Sequence, residues 1–453
     1  MTDPAAIDTL RLIISAVLGI GILLVLVIKF KMQAVIAILI GAICIGLFAG
    51  MPLSEIVSSV NQGIGETLKG IALLVGLGSM FGAILEVSGG AEKLSRGIVA
   101  RFGQEKAAWA LAVTGMVIAI PVFFDAGLII LIPLAFSLAR ETGKSTLYYA
   151  IPLLAGLAVG HAFIPPTPGP VLVAHLIGAD LGLVILVGLV VGALPLILAG
   201  PLWGRKCASK FNVTVPAHVL ESMDSSKEKR SMPGVGTILF VILLPLALIL
   251  IKALCNVITV GDGLKAVVGF LGEPFIALLI STLLAMWLLG TRHGFSRDEL
   301  EKVMSRSLQP AGMILLVTAA GGVLRYILQN SGLGAVIGDS IVQLHLPLIV
   351  VAFVIAALVR IAVGSATVAM TMAAGIIASM PVVASLSPMY LACMVAAIAG
   401  GATVCSHFND SGFWLVKSLL EVDERTTLKT WTIMETIVGV SGFVVAFVIS
   451  LFV

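Results

Sequence analysis

Gly160-His161-Ala162-Phe163-Ile164-Pro165-Pro166-Thr167-Pro168-Gly169-Pro170 stands between two apolar runs, Leu147–Val159 and Val171–Ile177. Together the runs are long enough to cross a bilayer. Four prolines in six residues do not fit a continuous helix, because each removes an N–H and clashes with the turn before it. The crossing is therefore expected to be broken, and broken at about membrane depth. Non-helical backbone is tolerated there only where it is buried in protein or lines a watery cavity. Broken spans of this kind hold the substrate sites of many secondary transporters. The rival reading is a Pro-rich surface loop between two short helices; the absence of charge close to the prolines speaks against it.

Composition agrees with a membrane setting. Of the 453 residues, 59% are hydrophobic and 11% charged, against roughly 25% charged in a soluble domain. Mean hydropathy is +1.15. The chain reads as an all-α polytopic membrane protein. Its net charge of +3 implies no nucleic-acid partner, since the basic residues lie in short loops and report orientation instead. Cys44, Cys207, Cys255, Cys393 and Cys405 lack metal-ligand spacing and read as small core residues. Asp3 and Asp8 precede the first apolar run with no basic segment, so that run reads as a retained span rather than a cleaved signal.

The pattern of runs repeats. In the first half, Leu12–Ile28 and Ala34–Ala49 are two spans, Ser54–Thr67 an interfacial helix, Ile71–Val87 a Gly-rich span and Glu92–Lys106 a basic amphipathic segment. Ala107–Ala139 is an apolar run of 33 residues, where one straight span needs about 20. Its middle, Pro121–Gly127, predicts a re-entrant hairpin. The broken span and a further span, Leu183–Trp203, follow. The second half offers Ile238–Ile251, Pro274–Leu289, a mixed polar helix at Ser296–Leu308, Met313–Leu328, a second overlong run at Leu346–Met380, a second interrupted span at Met389–Leu419 and a last span at Thr432–Val453. Gly78 and Gly321, Ser88-Gly89 and Ser331-Gly332, and Ile98-Val99 and Ile341-Val342 share one offset of 243 residues. The expected division is residues 1–203 and 234–453 as two repeats, with a cytoplasmic linker at 204–233. Glu92–Lys106 is basic, while its counterpart Gly332–His345 has no Lys or Arg. By the positive-inside rule the two face opposite sides. The repeats are thus expected to be inverted, each with about five spans, one hairpin and one broken helix, and both termini on the outer face. Inverted repeats with interrupted spans are a transporter architecture.

Ionisable residues at membrane depth are functional candidates by default, since a charge at the bilayer centre costs about 2.5–3.5 kcal/mol. Asp125, at the first hairpin tip, is read as a proton carrier or as a cap on the second half-helix. His161 is read as a proton relay, a substrate donor or a packing histidine. At the second break, His407, Asn409 and Asp410 suit hydroxyls, or cap the helix that follows. Gly364, Ser365 and Thr367 offer hydroxyls and N–H groups at the second hairpin tip, where a half-helix N-terminus can hold a carboxylate. Arg360 is open between balancing an anionic substrate, pairing with an internal acid and snorkelling. His175, His218, His293 and His345 fall at span ends or in loops and read as solvated. No nucleophile–base pair, phosphate loop or metal motif occurs, so neither an enzyme nor a metal site is expected.

Several stretches together resemble the gluconate permease (GntP) family: Lys29-Phe30-Lys31, Gly76-Leu77-Gly78, Glu86-Val87-Ser88-Gly89, Pro121-Val122-Phe123-Phe124-Asp125, His161 through Pro170, Gly178-Ala179-Asp180-Leu181-Gly182, Gly364 through Ala369, and Asn409-Asp410-Ser411-Gly412-Phe413-Trp414. The resemblance covers nearly the whole chain. It implies a proton symporter of the bacterial inner membrane for gluconate or a similar sugar acid, an elevator-like fold and a homodimer, with no cofactor. At Thr167, Gly169 and Pro170 the chain has the sugar-acid type of sequence and not that of the D-serine branch. The expected substrate site comprises Phe124, Asp125, Gly127, His161, Pro166, Thr167, Gly169, Gly364, Ser365, Thr367, His407, Asn409, Asp410 and Ser411. Protons are expected on Asp125, His161 or Asp410. Sodium coupling, or another small carboxylate such as D-serine, is the alternative.

Overall fold

Each overlong apolar run divides into two helices joined by a short turn. In the computed structural model, which describes residues 4–216, 233–257, 261–343 and 346–453, α5 (Ala107–Ala119) and α6 (Phe124–Thr142) are joined by a four-residue turn at Pro121. Helices α16 (Leu348–Val363) and α17 (Ala366–Ala378) meet at Gly364-Ser365. Gly364 has φ +81°, a left-handed conformation that glycine adopts without steric cost. The sequence placed both tips within a few residues.

The Pro cluster breaks its span as expected. Helix α7 (Leu147–Phe163) ends where Ile164 turns extended, and α8 (Pro168–Ile177) begins with proline in its first turn. Proline suits that position because its missing N–H has no helical partner there. The helices reach further into the cluster than the apolar runs suggested, so His161 lies in the last turn of α7. The Pro165–Pro166 bond is cis. The second break separates α18 (Pro388–Thr403) from α19 (Ser411–Leu420).

The remaining elements are α1 (Pro4–Ile28), α2 (Ala34–Ala49), α3 (Leu53–Val87), α4 (Gly90–Phe102), α9 (Leu181–Ile197), α10 (Trp203–Lys210), α11 (Val235–Val257), α12 (Asp262–Leu271), α13 (Pro274–Ala285), α14 (Arg297–Asn330), α15 (Leu333–Gln343), α20 (Glu424–Thr427) and α21 (Ile433–Ser450). Among the described residues, eight helices are long and apolar enough to cross a membrane, counting Leu147–Ile177 as one. From α3 to α9 and from α14 to α21 the order recurs: one very long helix, a short helix, a hairpin, a broken helix and a closing span.

Two expectations need correction. Ser54–Thr67 and Ser296–Leu308 are not separate interfacial helices. Each is the first part of a continuous helix, α3 of 35 residues and α14 of 34. At 1.5 Å per residue these run about 50 Å. They pack along each other at very short range. A Cβ added at Gly63 would lie 2.6 Å from the Val323 backbone, and one at Gly322 would lie 2.5 Å from the Gly63 carbonyl. Asn330 donates to the Ser59 hydroxyl at 2.8 Å across the pair. Helix α10 also carries regular structure into the expected linker. The rest of that linker from 217 to 232, with His218, and His345 lie outside the described residues. His175 is half-buried against α3, its Nε2 3.1 Å from the Glu66 carbonyl.

Candidate functional site

Three of the four interruptions converge. A cavity of about 710 Å³ is walled by the first hairpin tip (Phe123, Phe124, Asp125, Ala126), the second tip (Val363 to Thr367) and the second break (Asn409 to Gly412). Ala158, His161 and Ala162 of α7, Pro310, Met313 and Ile314 of α14, and Trp431 and Glu435 from the start of the last span also line it.

Its deepest charge is Arg360, 3% exposed, in the last turn of α16. The guanidinium Nη2 lies 2.5 Å from Asp410 Oδ2, and Nη1 donates to the Gly364 carbonyl. Asp410 is also the cap of α19: its Oδ1 accepts the Gly412 N–H at 3.1 Å, and its Oδ2 accepts the Ser406 hydroxyl. Ser406 in turn accepts the Trp431 indole N–H at 2.7 Å, and the Trp431 ring sits 5.4 Å from the Phe124 ring of the first tip. Taking two charges out of water is costly unless further hydrogen bonds complete the pair; here both partners have them. Of the three roles left open for Arg360, the structure shows pairing with an internal acid. Of the roles left open for Asp410, it shows the cap.

Asp125 is not a cap. Helix α6 starts at Phe124, its N-cap Phe123 has no side-chain hydrogen bond, and Asp125 sits in the first turn, exposed to the cavity. Helix α17 is capped by Ser365, whose hydroxyl accepts the Val368 N–H at 3.4 Å. Asn409 donates its amide to the carbonyls of Ile361 and Ala362, at 2.9 and 3.3 Å. This ties the second break to the second hairpin.

Ten of the expected residues thus meet: Phe124, Asp125, His161, Arg360, Gly364, Ser365, Thr367, Asn409, Asp410 and Ser411. Five do not line this cavity. Pro166 and Thr167 line a separate pocket of about 10 Å³ with Ser79 and Pro121, to which His161 also contributes. The Thr167 hydroxyl donates to the Ile164 carbonyl at 2.7 Å. Gly127 and Gly169 are packing positions, where an added Cβ would lie 2.9 Å from a Leu157 methyl and 2.6 Å from the Met370 sulfur. His407 lies with Nε2 3.1 Å from the Ile361 carbonyl. Glu435 was missed from sequence, although a lone acid inside the last apolar span was signal enough. Among the described residues, no group of three or more His, Cys, Asp or Glu is placed to hold a metal.

The model of the family described as GntP family permease matches residues 11–452. The low-affinity gluconate transporter of Escherichia coli (strain K12) is 40% identical over 443 residues, covering 97% of this chain and 98% of that protein. A gluconate permease of Pseudomonas aeruginosa is 37% identical, with 97% and 98% covered. Among solved structures, the Alcanivorax borkumensis YdaH transporter, described as having an unusual topology, aligns with a TM-score of 0.62 at 17% identity over 87% of each chain. That likeness is one of fold.

Proposed function

The chain belongs to the GntP family of permeases, and from that premise we propose that it is a proton-coupled symporter importing gluconate or a similar small sugar acid across a bacterial inner membrane. As a member of that family it is a multi-pass membrane permease that moves its substrate, and not an enzyme. The observation that carries the finer reading is a buried guanidinium beside a half-helix N-terminus, in a cavity of about 710 Å³. Small-molecule sites run about 300–1,000 Å³.

The substrate carboxylate lies at the start of α17, where the N–H groups of Ala366 and Thr367 and the hydroxyls of Ser365 and Thr367 converge. Asn409, Ser411 and His161 meet the substrate hydroxyls. Asp125, open to the cavity and outside the Arg360–Asp410 pair, carries a coupled proton. One proton per monovalent anion moves no net charge; each further proton adds about 2.3 kcal/mol per 100 mV. The recurring element order, with the charge contrast between Glu92–Lys106 and Gly332–His345, supports inverted repeats with both termini outside. An elevator motion of a homodimer is the working cycle that goes with this arrangement.

The test is uptake of labelled gluconate by proteoliposomes of the purified protein, with an inward proton gradient and no sodium. Accumulation that a protonophore collapses is expected. Accumulation that requires sodium would overturn the proton, and none under either gradient would overturn gluconate, with D-serine next to be tried.

A further inference from the structure

The carboxyl of Glu435 is 6% exposed, near the middle of the 27-residue span Glu424–Ser450. Its placement is fixed on both sides. The Thr432 hydroxyl donates to the Ser406 carbonyl, and the Thr436 hydroxyl accepts the Cys405 N–H at 3.1 Å. The first turn of α21 is thus stapled to the second break with Glu435 between the staples, facing the cavity.

Three buried polar atoms of residues lining this cavity have no hydrogen-bond partner among the described atoms: His161 Nδ1, Glu435 Oε1 and Arg360 Nε. Arg360 places its two terminal nitrogens on Gly364 and Asp410, and Nε is its one nitrogen with no hydrogen bond among the described atoms. Glu435 feels the charges of both Arg360 and Asp410. The pair Arg360–Asp410 is already neutral. An ionised Glu435 is therefore one carboxylate in excess, and a substrate carboxylate entering the same cavity would be a second. One guanidinium does not balance three carboxylates gathered in one cavity. Room for the substrate anion appears when Glu435 takes up a proton. It then becomes an O–H donor, and Arg360 Nε–H is left for the anion.

We propose that Glu435 is the proton-linked half of the substrate site: ionised, it competes with the carboxylate of a hydroxy acid for the charge of Arg360; protonated, it leaves Arg360 to that carboxylate. The proposal rests on the reading of the cavity as the sugar-acid site. The other titratable groups facing Glu435 or its cavity are Asp410 ahead of α19, Asp125 from α6 and His161 from α7. Of the other elements packed against α21, α16 brings Arg360, the segment 428–432 has Lys429, α7 also has Tyr148 and Tyr149, α9 has no titratable residue, and α18 has Tyr390 and Cys393 in its first half, with Cys405 following at the break. Glu435 is a positioning residue acting through Arg360, and its signature is a pH profile.

The experiment is equilibrium binding of labelled gluconate to the purified full-length protein in detergent from pH 5 to pH 9. Wild-type affinity is expected to fall with rising pH, by up to about tenfold per unit for one linked proton. Glu435→Gln should flatten the profile and bind at pH 9 nearly as at pH 5. Glu435→Asp should keep the slope with its midpoint moved along the pH axis, which retains a test if the Gln variant fails to fold. A wild-type slope persisting in E435Q, an unmoved midpoint in E435D, or a flat wild-type profile would each overturn the proposal while leaving the gluconate reading intact. No gluconate binding by the wild type at any pH would overturn that reading and the proposal with it.

Discussion

The two broken spans occupy the same place in the recurring element order and solve the same problem by opposite means. At the first break, between α7 and α8, the unsatisfied donors are deleted. Pro168 and Pro170 leave Gly169 as the one N–H among the first three residues of α8, and Thr167 returns its hydroxyl to the Ile164 carbonyl. At the second, between α18 and α19, the donors are kept and answered by charge: Asp410 caps α19, Arg360 neutralises Asp410, and Ser406 and Trp431 complete the chain. A break closed by proline is inert to protons. A break closed by a carboxylate is electrically tunable, which is why the chemistry is expected to gather there.

This contrast can be broken at graded points. The largest effect is expected from Arg360→Met, which strands Asp410 without its partner. Losing one partner of a buried pair costs about 3–5 kcal/mol, so a much lower melting temperature and no uptake are expected; an unchanged melt would show that the ion pair does not hold the second break. Asp125→Asn leaves the pair untouched. It should cut proton-driven accumulation at least about tenfold, a change of about 1.4 kcal/mol, while keeping substrate counterflow. Loss of counterflow with an unchanged melting temperature would assign Asp125 to binding instead. Gly364→Ala places a Cβ 2.3 Å from the Asn409 carbonyl at φ +81°. About 1–2 kcal/mol of left-handed strain and 1–3 kcal/mol of overpacking should appear as reduced thermal stability. Ser406→Ala leaves the buried Trp431 indole N–H without its acceptor, at about 1–3 kcal/mol. The matching change at the first break, Thr167→Val, removes one neutral hydrogen bond and should cost about 1 kcal/mol. Were T167V to outweigh S406A in a thermal melt, the assignment of an inert and a tunable break would be reversed.

Much of this was legible in the sequence because the signals were local. Proline clusters, Gly-Ser at a tip and runs too long for one span each mark an interruption within a few residues of where it occurs. The continuity of α3 and α14 was not. A change from polar to apolar sequence at Gly70 reads as a boundary, and Pro310 reads as another, yet α14 runs through Pro310. What decides is the partner helix, with Gly63 and Gly322 letting the two backbones meet. The roles of Asp410 and Arg360 were open for a similar reason, since 50 residues separate two side chains that touch. Thr167 and Pro166 sat beside a convincing break, but sequence does not say which side of a break faces the larger space.

Helix α7 decides how the first tip is held in the membrane. Of the most apolar window of Leu147–Ile177, 89% is buried within the protein, so this segment has almost no surface for lipid. Its neighbour α5 has 13 residues, about 20 Å of helix, short of a bilayer of about 30 Å. The two backbones touch, with an added Cβ at Gly156 only 2.0 Å from the Ala112 carbonyl and one at Gly160 2.4 Å from that of Met116. Helix α5 is therefore held at depth by α7, and a Cβ placed at Gly156 or Gly160 is expected to separate the first tip from its support.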